Sequence, residues 1–345
     1  MKFGLIEGNG IGPEQVQATK HVLAATGLPI EWVDIPVAEA AMKKYGHPLP
    51  QESVKALKEL KVSLKAPLMV DRGLGRITCI HEDGSEHTYP SINNAIRREL
   101  KLFVAPRPIK GFPGISGKHA DMDIVIMREI TEDVYIGWEH QIGDVAAQAI
   151  KVTTREAVTR LTRFSFEYAR KNKRKKVTCV HKANALSITD GFFLKCFMEV
   201  AANYPDLEVD DHFVDAAAFN LAKFPAKYDV IVTANQYGDI LSDLAGGLAG
   251  SLGLAPGANI GESASVFEAT HGAAPDIAGK GIANPVSLIL SGTAMLRHAG
   301  YDDEATKIEE STRTVLGEGK VLTPDLGGTA STMQVADAIA KRVSR

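Results

Sequence analysis

Residues 228–261 constrain the fold more than any other stretch, because they join a buried strand to a carboxylate pair and then to a glycine-rich turn. Tyr228-Asp-Val-Ile-Val-Thr233 is a short β-branched run between polar residues, the pattern of a fully buried strand in a mostly parallel sheet. Gly238 ends the loop that follows. Asp239 and Asp243 then stand four residues apart at the start of an apolar-periodic segment, so on a helix they share one face. Two carboxylates at the C-terminal end of a strand lie where an open α/β sheet can hold a hard cation. On these residues alone a simpler account also stands, with Asp239 as an N-cap and Asp243 as a first-turn partner of the helix dipole.

The chain's 345 residues allow more than one domain, and its 45% apolar and 23% charged content is ordinary for a globular protein. A net charge of −3 offers no global attraction for nucleic acid or an anionic membrane, so any anion site must be a local cluster. Cys79, Cys179 and Cys196 are too widely spaced for a disulfide framework or a CxxC metal motif, which implies a reducing compartment. No signal peptide is evident, and the longest apolar stretch, near 286–296, is far short of the ~20 residues of a membrane span. A cytoplasmic location is expected, or the mitochondrial matrix if a transit peptide has been removed.

Taken in order, an edge-to-core strand at 2–7 is followed by Gly8-Asn-Gly-Ile-Gly-Pro13, which lacks the third glycine of a dinucleotide fingerprint; Pro13 suits the first turn of a helix instead. Residues 76–89 alternate apolar and polar around Asp83-Gly84 and predict a hairpin. Its His81 and His87 read as solvated strand residues, since no third ligand is near in sequence. Ser91 and Asn93 begin a helix carrying Arg97, Arg107 follows in a proline-bracketed loop, and Arg128 ends an apolar strand. Three arginines at element ends suit a di- or tricarboxylate, because the guanidinium fork matches carboxylate geometry. Each could equally pair with a surface glutamate. The basic run 170–176 lacks interleaved aromatics and reads as a solvated helix C-terminus rather than a nucleic-acid site. Lys182 closes a buried strand, Asp215 offers a third carboxylate near the sheet edge, and the small residues of 267–285 allow close approach by a ligand.

The stretches GNGIGPE, SINNAIRREL with Arg107-Pro108, MREITEDVY, VHKAN, GDILSD, APGANIG and EATHGAAPDIAGKGIANP follow one another in an order and spacing that resemble the β-decarboxylating dehydrogenases of the isocitrate and isopropylmalate family. The resemblance covers nearly the whole chain. It implies an α/β fold with a non-Rossmann parallel or mixed sheet and two domains flanking a cleft. The large domain would comprise 1–102 plus 250–345, and the small domain 103–249 with a clasp-like segment at about 133–153. It also implies a homodimer with shared active sites and no nucleic-acid or membrane partner. Arg97, Arg107 and Arg128 would bind the carboxylates of a hydroxy-acid substrate, with Ser91 and Asn93 contacting the third. Asp239 and Asp243 would ligate Mg²⁺ or Mn²⁺, joined by the partner's Asp215. Lys182, also from the partner, would help remove the hydroxyl proton, and Tyr135 would protonate the product carbon. Glu268, His271, Gly272, Ala273, Ala274, Asp276, Ile277 and Asn284 would form the cofactor site.

Asp276 and Ile277 stand where NADP-dependent members tend to have Lys and Tyr, which implies NAD, since an acidic side chain repels a 2′-phosphate. Ser91 with Asn93 resembles the isocitrate enzymes, whereas Ile130 is closer to the isopropylmalate type. The expected activity is therefore NAD-dependent oxidative decarboxylation of isocitrate to 2-oxoglutarate, with homoisocitrate or 3-isopropylmalate as alternative substrates and a non-catalytic regulatory subunit as a second alternative. Asn9, Met69 and Val70 and the 76–89 hairpin, which reads as an insertion, depart from the family pattern.

Overall fold

The computed structural model describes residues 1–69, 76–81, 83–112, 114–115, 117–119 and 121–345; Val70, one of the departures near the expected nicotinamide site, lies outside them. The strands among these are β1 Lys2–Ile6, β2 Glu31–Asp34, β3 Val62–Lys65, β4 Ile77–Ile80, β5 Glu86–Tyr89, β6 Leu102–Lys110, β7 Asp123–Glu129, β8 Glu139–Ile142, β9 Ala146–Ala149, β10 Lys176–His181, β11 Glu208–Phe213, β12 Val230–Thr233, β13 Pro256–Gly261 and β14 Ser265–Ala269. Ten of them form one mixed sheet in the order β11-β10-β12-β7-β6-β13-β14-β3-β1-β2. Both ends of the sheet are parallel; the contacts of β6 with β7 and β13, and of β13 with β14, are antiparallel.

The β-branched run read as a buried strand is β12, buried at all four residues between two parallel neighbours. β1 lies next to the edge strand β2 rather than at the edge. Pro13 occupies the first turn of the helix Gly12–Ala24. Arg107, expected in a loop, is instead in β6, paired along its length with β7. Pro106 and Pro108 fit because they share one edge of the strand, and the recorded pairing of β6 with β13 stops at Val104.

Residues from both chain ends share one core, in which Phe3, Leu5, Leu23, Phe267, Leu288, Ile308 and Ile339 meet. A second gathers Met127, Leu161, Phe166, Phe197 and Val232. The basic run 170–176 ends the helix Arg155–Lys171 and is answered by acids: Arg170 meets Asp206, Arg174 meets Asp123 and Asp229, and Lys176 meets Glu208 and Asp210. The expected hairpin is formed by β4 and β5, and a second, fully exposed one by β8 and β9. Among the described residues, no helix is long and apolar enough to cross a membrane.

Candidate active site

The helix Ile92–Glu99 begins where the sequence places it. Ser91 is its N-cap, its Oγ accepting from the Asn94 N–H at 3.2 Å. The last turn of that helix points Arg97 toward the middle of the sheet, where its Nε donates to Asn259 Oδ1 (3.1 Å) and its Nη2 lies 3.4 Å from Glu268 Oε1. Arg107 on β6 and Arg128 on β7 are 6% and 3% exposed, and all three arginines line one cleft of about 430 Å³ with Ser91, Asn93, Tyr135, Asp239 and Asp243. Burial pulls the pKa of Arg107 down and that of Arg128 down to about 9, with the neighbouring arginines acting in the same direction. Concentrated, poorly hydrated positive charge of this kind is what a polycarboxylate relieves.

The carboxylate pair lies on the helix Asn235–Ala249, whose N-cap is Ala234. Gly238 is inside the helix rather than in the preceding loop, and Asp239 follows one full turn after the cap, so neither aspartate is a cap or a first-turn residue. The capping account fails for that reason. Gly238 is required by contact: a Cβ there would sit 2.6 Å from Arg128 Cγ, so a glycine lets the arginine cross the helix. Arg128 then donates to Asn235 Oδ1 from Nε (3.0 Å) and Nη2 (2.8 Å) and pairs with Asp239 through Nη1. Tyr135 Oη lies 3.4 Å from Asp239 Oδ2. Burial and then the charge of Asp239 raise the Tyr135 pKa, which keeps the phenol a proton donor. Asp243 is pushed up by burial, although Arg107 opposes this.

The family model described as isocitrate/isopropylmalate dehydrogenase matches residues 2–339. The chain belongs to that family. A solved isocitrate dehydrogenase from Methylococcus capsulatus superposes with a TM-score of 0.93 at 44% identity, over 100% of this chain and 99% of that one. A probable isocitrate dehydrogenase [NAD] subunit alpha of Drosophila melanogaster is 41% identical over 99% of this chain and 87% of its own length. A 3-isopropylmalate dehydrogenase of Archaeoglobus fulgidus is 43% identical over 98% of both. Members are β-decarboxylating dehydrogenases, and relatives of both substrate types are equally similar.

Not every expected family residue reaches the cleft. Lys182 and Asp215 pair with each other at 2.6 Å on the surface, away from Asp239 and Asp243 within this chain. In the loop after β14, Glu268, His271 and Gly272 line the cleft, whereas Ala273, Ala274, Asp276, Ile277 and Asn284 do not. Ala274 takes a φ of 38°, a left-handed conformation rare for a side-chain-bearing residue. His271 shares a 3.1 Å contact with Gln15, and burial lowers its pKa, favouring the neutral ring. Asn284 Nδ2 donates to Asp325 (3.0 Å). Asn9 Oδ1 accepts from the Met69 N–H at 2.5 Å, tying the first turn to the loop after β3.

Three site residues escape sequence reasoning: Lys65, Asn235 and Asn259. Glu268 is gripped by Lys65, by Arg97 and by Asn259 Nδ2 (2.7 Å). Although burial opposes it, the charges of Lys65 and Arg97 hold the Glu268 carboxyl well below the usual range. A lysine closing the buried run VSLK is the same signal that singles out Lys182. Asn235 and Asn259 act by orienting charged side chains, Arg128 for Asn235 and Arg97 with Glu268 for Asn259, for which the sequence carries no pattern.

Proposed function

We propose that the chain is an NAD-dependent dehydrogenase that requires Mg²⁺ or Mn²⁺ and oxidatively decarboxylates isocitrate to 2-oxoglutarate and CO₂. Supporting the substrate choice is the polar wall of the cleft. Ser91 and Asn93 line it, and Asn93 Oδ1 is buried with no partner among the described residues. A carboxamide without a partner is suited to a polar ligand group rather than an isopropyl group: its Oδ1 needs a donor, and its Nδ2 is the atom that would donate to a substrate carboxylate. Ile130, whose identity points to isopropylmalate, is fully buried in the core with Ile92, Ile96 and Leu102 and does not line the cleft.

The donors fit a hard cation: Asp239 and Asp243 are oxygen ligands one turn apart, and burial, with the neighbouring charge of Asp239, raises the pKa of Asp243, a cost that a bound cation would offset. Such a cation, held with the partner's Asp215, would acidify the substrate hydroxyl, and NAD bound along the loop after β14 would take the hydride. Arg97, Arg107 and Arg128 orient the carboxylates. The partner's Lys182 accepts the hydroxyl proton, and after CO₂ leaves Tyr135 donates its phenolic proton to the carbon. This scheme needs a homodimer, with the exposed β8–β9 hairpin as a natural contact, and two domains, 1–102 with 250–345 and 103–249, closing on the cleft.

NADH formation by the purified chain with Mg²⁺ on isocitrate, homoisocitrate and 3-isopropylmalate tests the proposal. Turnover of isopropylmalate alone would overturn the assignment of Ser91 and Asn93; inactivity on all three would favour a regulatory subunit.

A further inference from the structure

The 76–89 hairpin carries chemistry that the dehydrogenase site does not use. Alternation along β4 and β5 puts Cys79, His81, His87 and Tyr89 on one face, because Cys79 pairs with His87 and Ile77 with Tyr89. That face packs on the helix Ile92–Glu99, with Cys79 and Tyr89 buried against Ile92, Ala95 and Ile96. The third ligand missing from the local sequence arrives from this helix. Glu99 is 8% exposed, its Oε1 lies 3.4 Å from His81 Nε2, and His81 Nε2 lies 3.0 Å from His87 Nδ1. Among the described residues this is the one group of three or more His, Cys, Asp or Glu side chains gathered closely enough to share an ion, its ligand atoms all within 4.8 Å of one another.

We propose that His81, His87 and Glu99 form a zinc site that staples the hairpin to the back of the substrate helix. In a tetrahedral site with bonds of about 2.0–2.1 Å, adjacent ligand atoms stand roughly 3.3 Å apart, close to both short spacings here. Two imidazoles and a carboxylate suit Zn²⁺ better than Mg²⁺, and exposed His87 leaves room for a water as the fourth ligand. Tyr89 Oη donates to Glu99 Oε1 at 2.7 Å and orients the carboxylate from behind. Glu99 follows Arg97 by two residues, about 200° around a helix, so the site grips the face opposite the substrate arginine. Its role is to fix that helix, separate from the carboxylate pair of the active site.

Chelator-treated protein, titrated with Zn²⁺ under saturating Mg²⁺, should take up one equivalent per chain. In His81→Ala/His87→Ala the affinity should fall by roughly 100-fold or more, in Tyr89→Phe by about 10-fold, and in Asp239→Asn not at all. Zn²⁺ should raise the unfolding temperature of the wild type but not of the double variant. Co²⁺ should give the intense visible bands of a tetrahedral site only where both histidines remain. Equal Zn²⁺ uptake by the wild type and the double variant, no uptake by either, or uptake abolished by Asp239→Asn would each overturn the proposal; a double variant whose circular dichroism matches the wild type removes misfolding as the cause of lost binding.

Discussion

Glu268→Gln removes one charge from a cluster that has almost no water to replace it. The side chains of Lys65 and Glu268 are 5% and 10% exposed, and Arg97, the second cation on this carboxylate, is 15% exposed. Glutamine is nearly isosteric and keeps an acceptor for Asn259, so packing is preserved and the change isolates charge. Breaking one side of a buried pair costs about 3–5 kcal/mol, because the surviving ammonium is left uncompensated. The retained hydrogen bonds place the expected loss at the lower end, about 3 kcal/mol. With a urea m-value of about 3 kcal/mol/M, the midpoint should fall by about 1 M at neutral pH. Wild type and variant must be compared at one protein concentration, since association shifts the midpoint. A pH series supplies the second reading. The folded pKa of Glu268 is depressed, so its stabilisation is present above the unfolded value of about 4.3 and is lost as pH falls through the folded value. The wild-type advantage should therefore hold from pH 7 to about 4.5 and shrink below it. A midpoint shift under about 0.2 M at pH 7, or a difference independent of pH, would refute the assignment of net stabilisation to this cluster.

Asp239→Asn should lower turnover at limiting Mg²⁺ by roughly 100-fold while leaving circular dichroism and NAD affinity near wild type; unchanged activity would return the aspartate to a structural partner of Arg128. Tyr135→Phe should cut kcat by about 10²–10⁴ with little change in KM, as measured by steady-state kinetics, since only proton delivery is lost. Replacing Asp276 by Lys with Ile277 by Tyr should move catalytic efficiency from NAD toward NADP, and a wild type that already prefers NADP would sink the cofactor assignment. Arg128 and Asp239 neutralise each other, so a cation alone or a substrate alone strands one charge. Calorimetry should therefore show that Mg²⁺ tightens substrate binding by roughly 5–150-fold, and substrate tightens Mg²⁺ equally.

The sequence made the local devices legible. Ser91 caps its helix, Asp83-Gly84 turns the hairpin, Pro13 starts the first long helix, and the run before Thr233 is a buried strand, because each follows from the chemistry of a few adjacent residues. Boundaries were less legible where a residue has two roles. Gly238 reads as a loop signal, yet it serves the passage of Arg128 across a helix that has already begun. Pro106 and Pro108 read as loop signals, yet they sit on a strand at alternate positions facing the edge where the recorded pairing with β13 has stopped.

Site residues divide in the same way. Arg97, Arg107, Arg128, Asp239 and Asp243 carry the type of charge the proposed chemistry needs, so residue type nominated them, even though Arg107 lies within β6 and both aspartates lie inside their helix. Lys65, Asn235 and Asn259 become visible only through what they hold, since an asparagine that aims a guanidinium is indistinguishable in sequence from one in a turn. The hairpin histidines show the limit most sharply. The third side chain that meets His81 and His87 does not stand beside them in sequence, because a strand and a helix that pack face to face bring Glu99 to them from beyond the hairpin. A ligand set divided between elements leaves no spacing to read, only residue types that fit once the fold has placed them. In the proposed dimer, Asp239, Asp243 and the partner's Asp215 would pose the same problem across two chains, where one sequence would hold every donor and still not close the site alone.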